Sequence, residues 1–287
     1  MTRKQAELLL AAVIIIRAAA YLFSKVALRS LEPFNLLAIR FLLAFVLLCF
    51  IARKHMKDIQ PKTICRGMAL GAAFFLTMGC EMLGLLTTDS SVTSFLENTA
   101  VVIVPLLQAV LLRRFPKPVI VVSGMVTMTG IGFLTLQGTG GFQFTIGQIF
   151  CMGAAFFYAF AILLTDRFSH EDDPLVLGVL QVGFIGLFSL AASLVLESPQ
   201  LPTESGTWGA IAVLAVICTG FGFTLQPVAQ KGTTAERAGL FCALNPLTAT
   251  VLGVVFLHEN FGLQSILGGV LVLTGILLSK LGERKRA

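Results

Sequence analysis

Five ionisable side chains lie inside long apolar runs of this sequence, and their types are the ones able to do chemistry there. Two are acidic, Glu81 and Glu97, and three are basic, Arg17, Lys25 and Arg40. A charge at the centre of a bilayer costs about 2.5–3.5 kcal/mol on insertion scales, so such residues are normally paired or functional. Carboxylates accept protons and amines, and a guanidinium binds carboxylates through two parallel hydrogen bonds. The expected chemistry is therefore binding of ions, protons and small charged solutes.

The helical rise of ~1.5 Å per residue predicts a common depth for four of these side chains. Lys25, Arg40, Glu81 and Glu97 each fall roughly 8–10 Å below one surface by this rise. Glu81 and Glu97 flank one short turn, so both carboxylates lie near one hairpin mouth, which suits proton coupling or binding of an amino group. The alternative for the four is a charge network that locks helices together, and Lys25 can also extend its ammonium group outward.

Arg17 lies near the middle of its apolar run, roughly 16–20 Å from either surface. The sequence offers no obvious partner at that depth. The guanidinium must therefore face a cavity, the carboxylate of a ligand or backbone carbonyls of a neighbouring helix, or else it weakens the fold. Because an unpaired buried charge is destabilising, Arg17→Trp is predicted to raise thermal stability.

The amino-acid composition indicates that membrane-spanning helices carry these side chains. Of the 287 residues, 56% are hydrophobic and 13% are charged, and the mean hydropathy is +0.89. A soluble domain has about twice that charged share. These values exclude a soluble enzyme, a disordered chain and a fibrous protein, and they indicate an all-α integral membrane protein. The net charge of +6 predicts no nucleic-acid partner, because the basic residues lie between apolar runs.

Ten runs are long enough to cross a bilayer, which needs about 20 apolar residues. They are residues 6–31, 34–53, 64–86, 90–113, 118–137, 146–168, 174–197, 207–230, 235–257 and 262–282. With the N-terminus in the cytoplasm, 17 Lys and Arg lie in inner segments and one, Arg29, lies in an outer loop. This asymmetry predicts cytoplasmic N- and C-termini. We expect a multi-pass protein surrounded by the lipid of a bacterial inner membrane.

The two halves of the chain resemble each other at fixed offsets. The motif Gly-x4-Thr-Gly-Ile at 124–131 recurs at 269–276, an offset of 145 that also pairs Glu81 with Gln226. This recurrence predicts two related repeats, over 6–137 and 146–282.

Near the start of each half the offset is 141, which pairs Arg40 with Gln181 and Arg17 with Tyr158. Each half holds an odd number of predicted spans, so the second half must enter the membrane inverted. Five-plus-five inverted repeats are typical of secondary transporters, whose substrate sites lie near the midplane between the halves. The segment 138–145 is the predicted outer linker.

Several further residues are candidates for the walls and moving parts of such a site. The polar candidates of the second half are Tyr158, Gln226 and Asn245. Pro105, Pro227 and Pro246 lie inside predicted spans, where each removes a helix hydrogen bond and creates either a hinge or a static kink. Most aromatic residues are expected in the core or against lipid, and a minority could hold a cation over a ring face; the residues considered are Phe74, Phe75, Phe156, Phe157, Tyr158, Phe160, Phe221 and Phe223.

The sequence contains no pattern for a metal site, a cofactor or a catalytic centre. The six cysteines form no C-x-x-C pair, and the three histidines are scattered. No nucleophile–histidine arrangement and no phosphate-binding glycine loop is present. We therefore expect neither an enzyme nor a bound cofactor, and an ATP-driven pump would need a partner chain.

Distributed short motifs resemble the drug/metabolite transporter superfamily, specifically its ten-helix EamA-type exporters. The stretches that carry the resemblance are Leu22-Phe23-Ser24-Lys25-Val26-Ala27, Pro33-Phe34, Leu37-Ala38-Ile39-Arg40-Phe41, Gly84-Leu85, Phe95-Leu96, Val104-Pro105-Leu106-Leu107, Asn245-Pro246 and Leu257-His258-Glu259. The resemblance implies a five-plus-five inverted repeat around a central cavity for small metabolites, often amino acids. Two stretches depart from the family pattern: Arg17-Ala18-Ala19-Ala20 replaces Trp-Gly and small residues, and Arg113-Arg114 replaces Gly-Glu.

The leading hypothesis is a secondary transporter that exports small metabolites such as amino acids by alternating access, with protons as a candidate coupling ion. A channel or facilitator for small polar solutes is the alternative. A membrane-embedded enzyme is less favoured, because it would need His, Asp or Ser clustered at one membrane face. Saturable transport with counter-exchange separates a carrier from a channel.

Overall fold

Every regular element that the structure describes is helical, as the sequence predicted. The structure, a computed structural model, describes residues 1–56, 59–88, 90–113, 115–135, 145–248, 251 and 263–284. Within these ranges six helical segments are long and apolar enough to cross a membrane: Arg3–Ala27, Pro33–Ile51, Pro61–Thr87, Ile146–Glu171, Pro174–Leu196 and Ser205–Gln230. Shorter apolar helices occupy Leu96–Leu111, Pro118–Phe133 and Ile266–Leu278. The chain is a multi-span, all-α membrane protein.

The helices follow the predicted spans closely. They are α1 (Arg3–Ala18), α2 (Ala20–Ala27), α3 (Pro33–Ile51), α4 (Pro61–Thr87), α5 (Ser90–Asn98), α6 (Ala100–Leu112), α7 (Pro118–Thr135), α8 (Ile146–Glu171), α9 (Pro174–Leu196), α10 (Ser205–Val213), a π-helical segment (Leu214–Phe221), α11 (Gly222–Gln230), α12 (Ala235–Phe241) and α13 (Leu263–Arg284). Residues 244–248 are also helical. The predicted linker, apart from Thr145, and most of 249–262 lie outside the described residues.

Four predicted spans are interrupted, which the sequence analysis did not anticipate. The first breaks at Ala19, the fourth at Thr99 and the ninth at 242–243, and the eighth becomes π-helical over Leu214–Phe221. Apolar composition predicts a crossing but not its interruption, because a break of one residue leaves the hydropathy unchanged. Interrupted helices at membrane depth are tolerated where they are buried in protein or line a cavity.

Helices from the first and second halves of the chain pack against each other as antiparallel pairs. α3 packs along α9, α4 along α8, and α7 along α13. In the last pair, a Cβ built on Gly130 would lie only 2.7 Å from the carbonyl oxygen of Gly268. Glycine therefore lets the two backbones approach directly, the usual device for close helix packing in membranes.

Polar contacts tie the α3–α9 pair together at one end. Proline at the first position of α3 leaves the following backbone N–H groups without intrahelical partners. Phe34 and Asn35 donate these groups to the carboxylate of Glu197, just after α9, at 2.8 and 2.7 Å. A carboxylate at a helix N-terminus also stabilises the helix dipole.

The α4–α8 pair has a corresponding tie at its other end. The Thr63 hydroxyl donates to Asp172 at 2.6 Å, and Arg66 forms ion pairs with Asp172 at 2.5 Å and with Glu171. Partial burial raises the pKa of Asp172, but the hydrogen bonds from Thr63 and Arg66 outweigh this effect, so its pKa lies below the ordinary value. The contacts at these two ends hold α3, which carries Arg40, against α9, and α4, which carries Glu81, against α8.

Candidate functional site

A buried polar cluster lies where the two halves of the chain meet, with Arg17 of α1 at its centre. Arg17 Nη1 donates to Gln226 Oε1 at 2.5 Å and to the Tyr158 hydroxyl at 3.3 Å. The offset of 141 predicted Tyr158 opposite Arg17, and the structure brings them together. The sequence offered no obvious partner at the depth of Arg17, and the structure supplies two, from α8 and α11. The repeat pointed to Tyr158, whereas no offset relates Arg17 to Gln226.

Aromatic rings surround the Arg17 guanidinium. Its carbon Cζ lies 4.1 Å from the ring centroid of Phe223, 5.4 Å from that of Tyr158 and 6.0 Å from that of Phe74. Phe223 in turn meets Phe41 and Phe74 edge to face, with centroids 5.2 and 5.4 Å apart. A cation within about 6 Å of a ring face is attracted by the ring quadrupole. The cation held by these rings is therefore the protein's own arginine.

Gly222 of α11 makes room for the stem of Arg17. A Cβ at this glycine would lie 2.6 Å from Arg17 Cγ and 3.2 Å from Cδ. The side chain at position 17 thus fits against bare backbone, and a broad indole ring there would lose both hydrogen bonds. The expectation that Arg17→Trp stabilises the protein rested on an unpaired charge, and these contacts remove that reason.

The two buried carboxylates belong to α4 and α5. Glu81 is 5% exposed and Glu97 is 2% exposed. They flank the turn between Thr87 and Ser90, and they are close enough to interact electrostatically. The hydroxyl of Tyr21 donates to Glu97, while no described residue donates a hydrogen bond to Glu81. The positive charges of Arg40 and Arg17 act on the Glu81 carboxylate.

Arg40 and Lys25 differ in their placement. Arg40 of α3 is 2% exposed, and its Nε donates to the Thr219 hydroxyl of the π-helical segment at 2.6 Å. Its guanidinium carbon also lies 5.1 Å from the ring centroid of Phe41. Lys25 of α2 has an exposed side chain and lies outside the buried cluster. Of the two predicted basic candidates on these helices, the structure brings only Arg40 into the protein interior.

Asn245 is linked to the Arg17 cluster through Cys242. Its backbone N–H donates to the carbonyl of Cys242 at 2.9 Å, and Cys242 Sγ contacts the Tyr158 hydroxyl at 3.3 Å. The side-chain Oδ1 of Asn245 is buried and has no hydrogen-bond partner among the described residues. This acceptor lies near the break in the ninth predicted span, beside Pro246.

Sequence reasoning missed Tyr21, Thr219 and Cys242 as members of this region. Two signals could have found two of them. The chain has two tyrosines, Tyr21 and Tyr158, and both hydrogen bond to buried ionisable groups. The offset of 145 pairs Glu97 with Cys242. Thr219 has no comparable signal, because a threonine in an apolar helix is ordinary.

Each predicted hinge proline lies inside a helical stretch. Pro105 is inside α6 and Pro227 is inside α11, one residue after Gln226. Pro246 lies in the helical stretch 244–248. The carbonyl freed by Pro246 belongs to Cys242 and accepts the Asn245 N–H instead.

An ion pair joins α1 and α12 at the end of the molecule that holds the N-terminus. Glu7 of α1 and Arg237 of α12 are 7% and 2% exposed at their side chains, and Oε1 lies 2.6 Å from Nη1. Glu7 precedes Arg17 by ten residues on α1, or about 15 Å by the helix rise. At this same end a cavity of about 730 Å³ opens among residues at helix ends and in loops, including Gln60, His170 and Lys231.

Sequence comparison decides the family. The model of the EamA-like transporter family matches residues 4–136 and matches again at 145–281. The chain belongs to this family. The EamA-like family is a family of transporters, so the buried cluster lies in a membrane transport protein.

Relatives of similar length are also named as transporters. An uncharacterized transporter of Archaeoglobus fulgidus is 27% identical, with 97% of this chain and 87% of the relative covered. The uncharacterized transporter YcbK of Bacillus subtilis is 26% identical, with 89% and 86% covered. A solved crystal structure has a TM-score of 0.81 at 17% identity over 100% of both chains. At that identity, the likeness shows the fold alone.

Proposed function

We propose that this EamA-like protein is a proton-coupled secondary transporter that exports small metabolites such as amino acids by alternating access. The observation that carries the proposal is the Arg17 cluster. A guanidinium bound to Gln226 and Tyr158 lies in the same buried region as two carboxylates, and both Arg17 and Glu97 lie two residues before a break in the helix. Such a region offers complementary charge to both the amino and the carboxylate group of a zwitterion.

The proposal includes an inverted repeat over 6–137 and 146–282, with the site between the halves. Three observations support it: the family model matches the chain twice, the three predicted offset pairs that include a charged residue are buried, and helices pack across the halves. The first half supplies the charged members of these pairs, and the second half supplies the neutral ones.

Alternating access needs elements that can change shape. The interruptions at Ala19 and Thr99 and the π-helical segment are suitable, because discontinuous helices at midplane sites are a recurring feature of secondary transporters. Pro105, Pro227 and Pro246 are the proposed hinges. In the described conformation the Glu7–Arg237 ion pair closes the end proposed to be cytoplasmic.

Glu81 and Glu97 are the proposed proton-binding groups. Two buried carboxylates that repel each other favour binding a proton on one of them, since burial and mutual repulsion make it costly to ionise both. The amino group of a substrate would compete for the same negative charge. Competition of this kind links proton release to substrate binding.

The proposed substrate class is tested by uptake in proteoliposomes. We expect purified protein to move at least one radiolabelled amino acid from a panel, with saturation and with dependence on an imposed pH gradient. Empty liposomes give the background. Absence of transport for every amino acid in both orientations of the pH gradient would exclude this substrate class.

The proposed location is a bacterial inner membrane with both termini in the cytoplasm, and cysteine labelling tests the orientation. In a variant lacking the six native cysteines, a membrane-impermeant maleimide is expected to label Gly140→Cys in intact cells, because that segment is the predicted outer linker. Gly140 lies outside the described residues. Lys54→Cys is the control, and it should react only after permeabilisation. The reverse pattern would contradict the orientation.

A further inference from the structure

Proline in α11 creates a specific hydrogen-bonding problem. Pro227 lacks an N–H group, so the carbonyl four residues earlier loses its helical partner. That carbonyl belongs to Phe223, which is 1% exposed. A buried carbonyl left unpaired is destabilising, because it gives up its hydrogen bond to water without replacement.

A side chain from another helix satisfies this carbonyl. Gln181 of α9 is fully buried, and its Nε2 donates to the Phe223 oxygen at 2.5 Å. The two helices approach closely at Gly178, one turn earlier on α9, where a Cβ would lie 2.8 Å from the Thr224 Cα. The glutamine amide therefore takes the place of the backbone group that proline lacks.

We propose that Gln181 is a positioning residue of the central site, a role that rests on the proposed function. It acts through Phe223, whose ring centroid lies 4.1 Å from the Arg17 guanidinium carbon. By fixing the backbone of Phe223, the Gln181 amide fixes the ring that faces Arg17. The proline kink and the cation site are thus coupled through one hydrogen bond from α9.

The other end of the same amide strengthens the assignment. Gln181 Oε1 is buried and has no hydrogen-bond partner among the described residues. A glutamine in the protein interior normally uses both its donor and its acceptor. Among the described residues, the hydrogen bond of this amide is therefore the one from Nε2 to Phe223, which an apolar side chain of the same length cannot make.

A double-mutant cycle tests the assignment without any substrate. Gln181→Met keeps the length of the side chain but removes the donor, and we expect the melting temperature to fall by about 3–6 °C. Pro227→Ala restores the backbone N–H that bonds to the Phe223 carbonyl. In that background Gln181→Met is expected to cost less than half as much. An equal loss in both backgrounds would overturn the proposal.

If Pro227→Ala fails to fold, amide hydrogen exchange tests whether Gln181 fixes the backbone around Phe223. Gln181→Met is expected to accelerate exchange in peptides covering 219–230. The matched control is Gln230→Met, which changes an equally buried glutamine, 1% exposed, on α11 itself. Faster exchange in the control than in Gln181→Met would contradict the positioning role.

Transport kinetics distinguish a positioning role for Gln181 from a purely structural role. For an amino acid that the protein transports, Gln181→Met is expected to raise KM about tenfold while Vmax changes less than twofold. A fall in Vmax alone would overturn the positioning role. The stability cycle needs no substrate, so a failed transport panel overturns the proposed function and leaves the Gln181 hydrogen bond separately testable.

Discussion

Arg17→Trp is expected to lower the stability of the purified protein by about 2–4 kcal/mol. The substitution removes the donors that bind Gln226 and Tyr158, and it forces a broad ring against the bare backbone of Gly222. Thermal unfolding in detergent measures the effect as a lower melting temperature. The direction is opposite to the one that the sequence suggested, because the structure supplies the missing partners.

Two further variants sharpen the Arg17 test. Arg17→Lys keeps the charge but loses the planar group that stacks on Phe223, so it should lie between wild type and Arg17→Trp. Arg29→Met is the control, because it removes an exposed basic side chain that follows α2. A higher melting temperature for Arg17→Trp would show that the arginine burdens the fold despite its contacts.

Glu81→Gln and Glu97→Gln are each expected to reduce transport at least about tenfold while the protein remains folded and monodisperse. Both changes keep the shape of the side chain and remove its charge. In Glu97→Gln the amide oxygen can still accept the hydrogen bond from Tyr21, so the local structure is preserved. Proteoliposome uptake between pH 5 and 8 should also lose its pH dependence.

A distant carboxylate separates this effect from a general loss of charge. Glu204 is exposed, and its side chain makes no capping hydrogen bond to α10, which follows it. Glu204→Gln should therefore transport like the wild type. Unaltered transport by both Glu81→Gln and Glu97→Gln across pH 5–8 would contradict a role in coupling.

The sequence was sufficient to predict the fold class because hydropathy averages over whole helices. The helices Pro33–Ile51 and Pro174–Leu196 agree with predicted spans to within two residues. The break at Ala19 could not be predicted in this way, because it depends on local backbone geometry. A π-helical segment is likewise set by packing against neighbouring helices and leaves no trace in an apolar average.

The members of the candidate site could be predicted from sequence where the internal repeat pairs a residue of one half with a residue of the other. The offset of 141 led from Arg17 to Tyr158, and the offset of 145 led from Glu81 to Gln226. The contact between Arg17 and Gln226 was not predicted, because it crosses between two different offset pairs. The aromatic partner Phe223 was one of several rings considered, and only three-dimensional packing selects it.

Counterflow distinguishes transport by alternating access from passage through a channel. Proteoliposomes are loaded with an unlabelled amino acid that the protein transports and are diluted into a trace of the same compound carrying radiolabel. A carrier that moves unlabelled substrate outward returns with labelled substrate bound. Alternating access therefore predicts a transient accumulation of label inside that exceeds the final equilibrium. Glu97→Gln should weaken this overshoot. Entry of label that rises to equilibrium with no overshoot in the wild type would identify a channel and contradict the account.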